Sequence, residues 1–178
     1  MDSLIPLNRK YEYPSLVRID SPNGRTYKRR NDTTKAVPSV TTILSATKDM
    51  SALDAWVERV GQAEADRIKN DAAYVGTAMH LALECLVVKE SLPAPSNWLE
   101  VKGYEMAYLL ANTYFRNIQE YWGSEVSLLY PESYAGTTDL VGVYRSQPAI
   151  IDFKQSLKPK RKQWITDYFH QLAAYAVA

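Results

Sequence analysis

Two β-branched, apolar runs most constrain the fold: Gly136-Thr-Thr-Asp139-Leu-Val-Gly-Val-Tyr144 and Ala149-Ile-Ile-Asp152-Phe-Lys154, separated by Arg145-Ser-Gln-Pro148. Such runs around a short polar break predict a β-hairpin. Each run carries an acid where a core strand carries none. A turn centred on Ser146–Gln147 sets Asp139 opposite Lys154 and Val141 opposite Asp152. Side chains alternate along strands, so Asp139, Asp152 and Lys154 then share one face. Cross-strand neighbours on one face lie about 5 Å apart at their β-carbons, and diagonal neighbours about 7–8 Å. Two carboxylates at that distance repel unless a cation lies between them, and a lysine beside a divalent metal can help a water lose its proton. The bland alternative is a surface hairpin with scattered charges. It fits poorly with Ile150-Ile151 directly before Asp152, because so apolar a run is usually buried on both faces.

A chain of 178 residues with 46% hydrophobic and 23% charged content is expected to form one globular domain over 1–178. Its expected parts are an N-terminal hairpin extension (1–36), a mainly helical part (37–122), and a β-sheet core with a final helix (123–178). The net charge of +1 does not announce a nucleic-acid binder, but its distribution is uneven. Residues 1–35 hold eight Lys/Arg against four Asp/Glu, and Lys154–Lys162 holds five basic residues and no acid. Local patches of this kind can follow a phosphate backbone. The single cysteine, Cys85, permits no intrachain disulfide and is expected buried and reduced. No apolar run approaches the roughly 20 residues of a membrane span. The start Met1-Asp-Ser-Leu-Ile-Pro6 has no apolar signal core, so the expected location is the cytoplasm, the host's if the chain is phage-encoded.

Along the chain, Ser21-Pro-Asn-Gly24 predicts a turn between strands at Leu16–Asp20 and Arg25–Lys28. Pro38 stops any incoming helix, and Ser39 can cap a short helix through Leu44. Ser51 with Asp54 resembles a capping box, with Leu53, Trp56, Val57 and Val60 facing a core. Helical spacing recurs over Ala72–Val88, with Gly76, His80, Leu83, Glu84 and Val87 along one side, and over Glu100–Tyr121, ended by Gly123. Glu125–Tyr130 reads as a strand closed by Pro131. Trp164 to Ala178 reads as a last helix with Trp164, Tyr168, Gln171 and Tyr175 on one stripe. Helices, three strands and a helix predict an α/β or α+β fold with a small mixed sheet flanked by helices.

Beyond the hairpin, Glu125 is a further strand acid or merely an exposed carboxylate. His80 with Glu84 four residues on is a helix pair or a His/Glu metal pair. Gln171 is a buried amide that holds backbone, or one that orients the lysine or substrate. His170 lies off that stripe and has the weaker claim.

These pieces occur together in an order that resembles the RecB-like branch of the PD-(D/E)xK nuclease superfamily. Within it, the chain is similar to the mitochondrial genome-maintenance exonuclease family and its phage relatives. The resemblance rests on Pro38-Ser-Val-Thr41, Gly76-Thr-Ala-Met-His80 with Leu83-Glu84, and Gly136-Thr-Thr-Asp139. It continues through Asp152-Phe-Lys154-Gln-Ser156, Lys158-Pro-Lys160 and Gln171-Leu-Ala-Ala-Tyr175. It implies a restriction-endonuclease-like core and Mg²⁺ or Mn²⁺ held by His80, Asp139, Asp152 and the backbone carbonyl of Phe153, with Glu125 as a further candidate ligand. It implies Lys154 as the residue that positions or deprotonates the attacking water, and Gln171 and Tyr175 near the lysine or the DNA. Relatives carry a fourth core strand after the last helix. This chain ends at Ala178, so that strand is expected to be missing or replaced.

The implied activity is metal-dependent hydrolysis of phosphodiester bonds from DNA ends, preferably single-stranded, in replication, repair, recombination or degradation. Ser156, Lys158, Lys160 and Arg161 follow the lysine and are expected to hold phosphates beside the cut. No Walker-type glycine loop and no cluster-binding cysteines occur, so neither a nucleotide cofactor nor an iron–sulfur cluster is expected, and DNA rather than a membrane is the expected partner. Two alternatives share the fold: a catalytically silent DNA-binding or assembly module, and an endonuclease with the same site.

Overall fold

The computed structural model describes residues 6–30 and 35–178. The expectations drawn from the first five residues lie outside this set. The chain is an α+β protein with two compact units, Met1–Thr47 with Ile118–Ala178, and Lys48–Asn117. The expected boundaries therefore shift. Residues 37–47 belong with the sheets rather than with the helical part, and the first long strand begins before residue 123.

In the first unit, β1 (Leu16–Ser21) and β2 (Gly24–Arg29) form the expected hairpin, and β3 (Val37–Pro38) pairs with β2. Helix α1 (Val40–Ala46) follows, capped by the Ser39 side chain, which accepts from the Thr42 N–H at 2.9 Å. The second sheet contains β4 (Ile118–Tyr130), β5 (Tyr134–Tyr144) and β6 (Gln147–Ile151), in the order β4-β5-β6 and antiparallel throughout. The parallel component of the expected mixed sheet is confined to isolated bridges, Leu7–Tyr121 and Ser39–Ala135. Helix α5 (Thr166–Val177) closes the unit. Its core gathers Val40, Trp122, Val126, Leu128, Val141 and Tyr175, with Tyr27, Val37 and Ala135 in an adjoining cluster. Burying each such large side chain stabilises the fold by about 1.5–3 kcal/mol.

Glu100–Tyr121 is not one helix. Helix α4 covers Trp98–Thr113, a 3₁₀ turn follows at Phe115–Asn117, and Ile118 already pairs with Tyr144. Ile118, Tyr121 and Trp122 are buried as strand residues. Their pairing with β5 overrides an apolar spacing that continues the helical pattern by coincidence. Gly123 accordingly lies inside β4 and ends no helix.

The second unit is helical: α2 (Ser51–Val60), α3 (Gln62–Val88) and α4. Met50, not Ser51, occupies the cap position of α2, and the Ser51 N–H instead donates to Asp49 at 2.9 Å. No residue of α2 is buried and Leu53 is exposed, so the expected core face of this helix is only half covered by Trp56, Val57 and Val60. Helix α3 starts ten residues before the expected Ala72. Its 27 residues include a stretch long and apolar enough to cross a bilayer by length and composition, contrary to the expectation, although a core helix passes the same test. It buries Val75, Ala78, Met79, Ala82, Leu83, Cys85 and Val87. Cys85 is a buried free thiol, pushed above its ordinary pKa by burial first and by Glu90 and Glu84 next. Helix α4 is capped by Asn97, whose side chain accepts from the N–H groups of Leu99 and Glu100. It approaches α3 closely at Gly103, where a β-carbon would fall 2.7 Å from both the Val75 carbonyl oxygen and Ala78.

Candidate active site

The hairpin turn is Arg145–Ser146, one position before the expected centre. Both residues have positive φ, 48° and 63°, and Tyr144 pairs with Gln147. That is a two-residue type I′ loop, whose backbone twist matches the strands it joins. Pro148, which lacks an N–H, is tolerated because β6 is an edge strand. The last pair is Leu140–Ile151, so the residue level with Asp139 one step further is Asp152, not Lys154. Slipping by two residues keeps the alternation, so the two acids still share a face; a one-residue slip would have separated them.

Asp139 lies half-buried on the central strand. Its Oδ2 accepts from the Phe153 N–H, which ties the segment after β6 to β5. On the other side, Glu125 falls between the Ser124–Leu140 and Val126–Thr138 pairs, level with Asp139. Glu125 has φ of 49°, a left-handed conformation that costs a residue with a side chain about 1–3 kcal/mol and clusters at functional positions. A carboxylate oxygen of Glu125 and one of Asp139 lie within 4.8 Å of each other. At that distance two unit negative charges repel by about 1 kcal/mol in bulk water and about 3 kcal/mol at an effective dielectric constant of about 20.

Asp152 directly follows β6, and its side chain is only 7% exposed. Lys154 Nζ forms an ion pair with its Oδ2. Gln171, buried on α5, donates to its Oδ1 at 3.4 Å and to the Tyr175 hydroxyl oxygen at 3.0 Å. The amide thus spends its NH₂ on the acid and the phenol together. Tyr175 packs its ring on the backbone of Gly136, where any β-carbon would collide with it. The two segments singled out in the sequence at 136–139 and 171–175 therefore touch. Burial pushes the Tyr175 phenol up to about 12; the hydrogen bond from Gln171 opposes this, and Asp152, Tyr27 and Asp139 add to it.

A pH effect follows. The folded phenol keeps its proton above the ordinary value of 10.0, so its contribution to stability is complete below pH 10 and is lost as pH rises toward about 12. Tyr175→Phe is expected to remove a loss of about 1.4 kcal/mol per pH unit in that window. Urea unfolding of both proteins at pH 9, 10 and 11 checks this through the wild-type-minus-variant difference. A pH-independent difference refutes it.

Of the remaining expected site residues, Lys158, Lys160 and Arg161 are exposed on the loop after Lys154, and Ser156 donates to the Lys158 carbonyl oxygen at 2.6 Å. Two aromatic residues organise this loop. Lys160 Nζ lies 4.9 Å from the Tyr168 ring centroid and donates to its hydroxyl oxygen, and Arg161 lies 5.2 Å from the Trp164 ring. Trp164 is 59% exposed and belongs to a 3₁₀ turn, Lys162–Trp164, rather than to the final helix. The expected four-residue stripe is thus buried only at Gln171 and Tyr175. The pairing of basic loop with aromatics was missed in the sequence, although Trp164 and Tyr168 stand three and eight residues from Arg161 and Lys160. Phe153 contributes its N–H to Asp139; His170 is exposed. His80 lies half-buried on α3 of the helical unit.

The candidate site is thus built on an α+β frame: three carboxylates lie level across the middle of β4 and β5 and just past the end of β6, with one lysine beside Asp152 and an amide from α5 bracing it. Comparison with known proteins assigns no relative: no family model matches the chain, and no curated protein matches it.

Proposed function

We propose that this chain is a metal-dependent DNA exonuclease. The observation that supports the reading is the convergence of Asp139, Asp152, Lys154 and Gln171, with Glu125 in the left-handed conformation beside Asp139. Three carboxylates against one ammonium leave the site in need of positive charge. Their hard oxygens suit Mg²⁺ or Mn²⁺; Glu125 and Asp139, with carboxylate oxygens within 4.8 Å of each other, would hold such an ion, and the resemblance adds Asp152. The sequence resemblance adds His80 to this ligand set.

A bound cation supplies charge neutralisation at the phosphate and hydroxide near neutral pH. The protein's own residues do the rest. Gln171 fixes the orientation of Asp152. The Phe153 N–H holds Asp139 through one oxygen. Lys154, an ammonium beside Asp152, donates to the phosphate and keeps the attacking water in line. Water oxygen bonds to phosphorus as the water gives up a proton to solvent, the P–O bond to the leaving nucleotide breaks, and the departing oxygen takes up a proton from solvent. Lys158, Lys160 and Arg161 hold neighbouring phosphates, and exposed Trp164 offers a face for an unpaired base, an interaction worth about 1–3 kcal/mol.

The test is digestion of end-labelled single-stranded DNA with Mg²⁺ or Mn²⁺. Cleavage is expected to stop with EDTA and with Lys154→Ala, and a covalently closed single-stranded circle is expected to survive. Cleavage that persists in both controls refutes the site. Cutting of the circle makes the enzyme an endonuclease, and binding without cutting makes the chain a silent module.

The loop yields a separate expectation. Lys160→Ala with Arg161→Ala is expected to weaken DNA binding more at low salt than at high salt. On a single strand, the slope of log affinity against log salt should fall by about 0.7 for each phosphate that the variant no longer neutralises. An unchanged slope in a fluorescence titration removes the loop from the DNA path.

A further inference from the structure

A cavity of about 570 Å³ opens in the sheet unit between β2, the start of β3 and the β4–β5 turn. Its size is that of a site for a small organic ligand. Its floor is apolar, with Tyr27 and Leu129 among the lining residues, and among the described residues its rim carries Lys28, Arg29 and Lys35 together with Glu132. Tyr27 is held in place by its own chemistry: its ring is buried and its hydroxyl lies 3.3 Å from Thr137 Oγ1. Alternation puts Arg29 on the same face of β2 as Tyr27. Lys35 enters from the segment leading into β3. Arg29 and Lys35 are exposed, and among the described residues neither side chain forms an ion pair or hydrogen bond.

Cations without partners are not unusual on a surface. Here they surround a concave apolar floor, and the two features together select a ligand with an anionic end and a flat or apolar body. We infer that this cavity binds a nucleoside phosphate unit, the phosphate on Arg29 and Lys35 with Lys28 nearby, and the nucleoside over the Tyr27–Leu129 floor. The inference does not rest on the nuclease reading, since the cavity shares none of the residues proposed for catalysis. The same unit can come from a free mononucleotide or from one residue of a polynucleotide strand.

Calorimetric titration in EDTA tests it, because cleavage is then absent and the site acids, without a cation, repel phosphate. Thymidine monophosphate is expected to bind the wild-type chain with a dissociation constant on the order of 1 mM or tighter. Thymidine and inorganic phosphate are each expected to bind more weakly than the nucleotide. Arg29→Ala with Lys35→Ala, both exposed, should weaken nucleotide binding by about tenfold or more, since each removes a charge-assisted hydrogen bond. If the double variant fails to fold, Lys35→Glu alone carries the test. A short oligothymidylate that binds more tightly than the mononucleotide, and loses that advantage in the variant, identifies a strand as the source. Equal or weaker binding of the oligonucleotide identifies the free nucleotide. Undiminished nucleotide binding in the variants, no saturable nucleotide binding at all, or inorganic phosphate binding as tightly as the nucleotide overturns the proposal.

Discussion

Asp139→Asn is expected to lower metal-dependent DNA cleavage by more than about 100-fold, the upper end of what loss of a mere supporting partner costs a metal site. The fold should survive, because the asparagine oxygen can still accept from the Phe153 N–H. Only the charge is lost, and the charge is what a cation between Glu125 and Asp139 requires. Asp152→Asn should lose a similar fraction of activity with a small cost in stability. It leaves Lys154, 33% exposed, without its anionic partner, while the asparagine oxygen can still accept from Gln171. Initial rates on end-labelled single strands, alongside thermal unfolding of each variant, decide the matter. A variant of Asp139 that cuts at the wild-type rate removes this acid from the chemistry. One that unfolds where wild type is folded makes the acid structural.

Gly142→Ala should produce the largest stability loss of any single methyl addition in the sheet. A β-carbon at Gly142 would fall on the backbone carbonyl oxygen of Glu120 on the neighbouring strand. A backbone atom cannot swing aside as a side-chain tip can, so β4 and β5 must separate. The register of β4 is already irregular there, between Ile118 and Glu120 and between Tyr121 and Gly123. Overpacking of this kind costs about 3 kcal/mol or more. For a chain of this size that lowers the melting temperature by about 6–12 °C. Gly136→Ala should cost less, since its obstacle is the Tyr175 ring, yet it should also disturb Gln171 and hence Asp152. An unchanged melting temperature for Gly142→Ala would mean that the two strands do not approach as described.

The hairpin acids were legible because alternation is a local rule. It survives an error in the turn, provided that the error moves the register by an even number of residues. The turn itself was misplaced because Arg145 and Ser146 carry positive φ without being glycine or asparagine, so the usual signal of a type I′ loop is absent. The same holds for Glu125. As a strand acid it was visible, but its left-handed backbone was not, because nothing in its neighbours demands one. The helix expected to run to Tyr121 shows the opposite failure. There a periodic signal was present and misleading, since the strand partner that overrules it lies more than twenty residues away, at Val143 and Tyr144.

Residue type and spacing alone determined the α+β class, the N-terminal hairpin, the Ser39 cap and the list of acids and lysine proposed for the site. Each of these depends on interactions within a few residues. Tertiary structure decided what those groups do to one another. It set Asp139 level with both Glu125 and Asp152, turned Gln171 into a shared donor for Asp152 and Tyr175, and laid Tyr168 and Trp164 under the basic loop. These interactions join residues far apart in the chain through strand register and helix packing. Their geometry is fixed by burial of the surrounding core, which no local pattern of residues specifies.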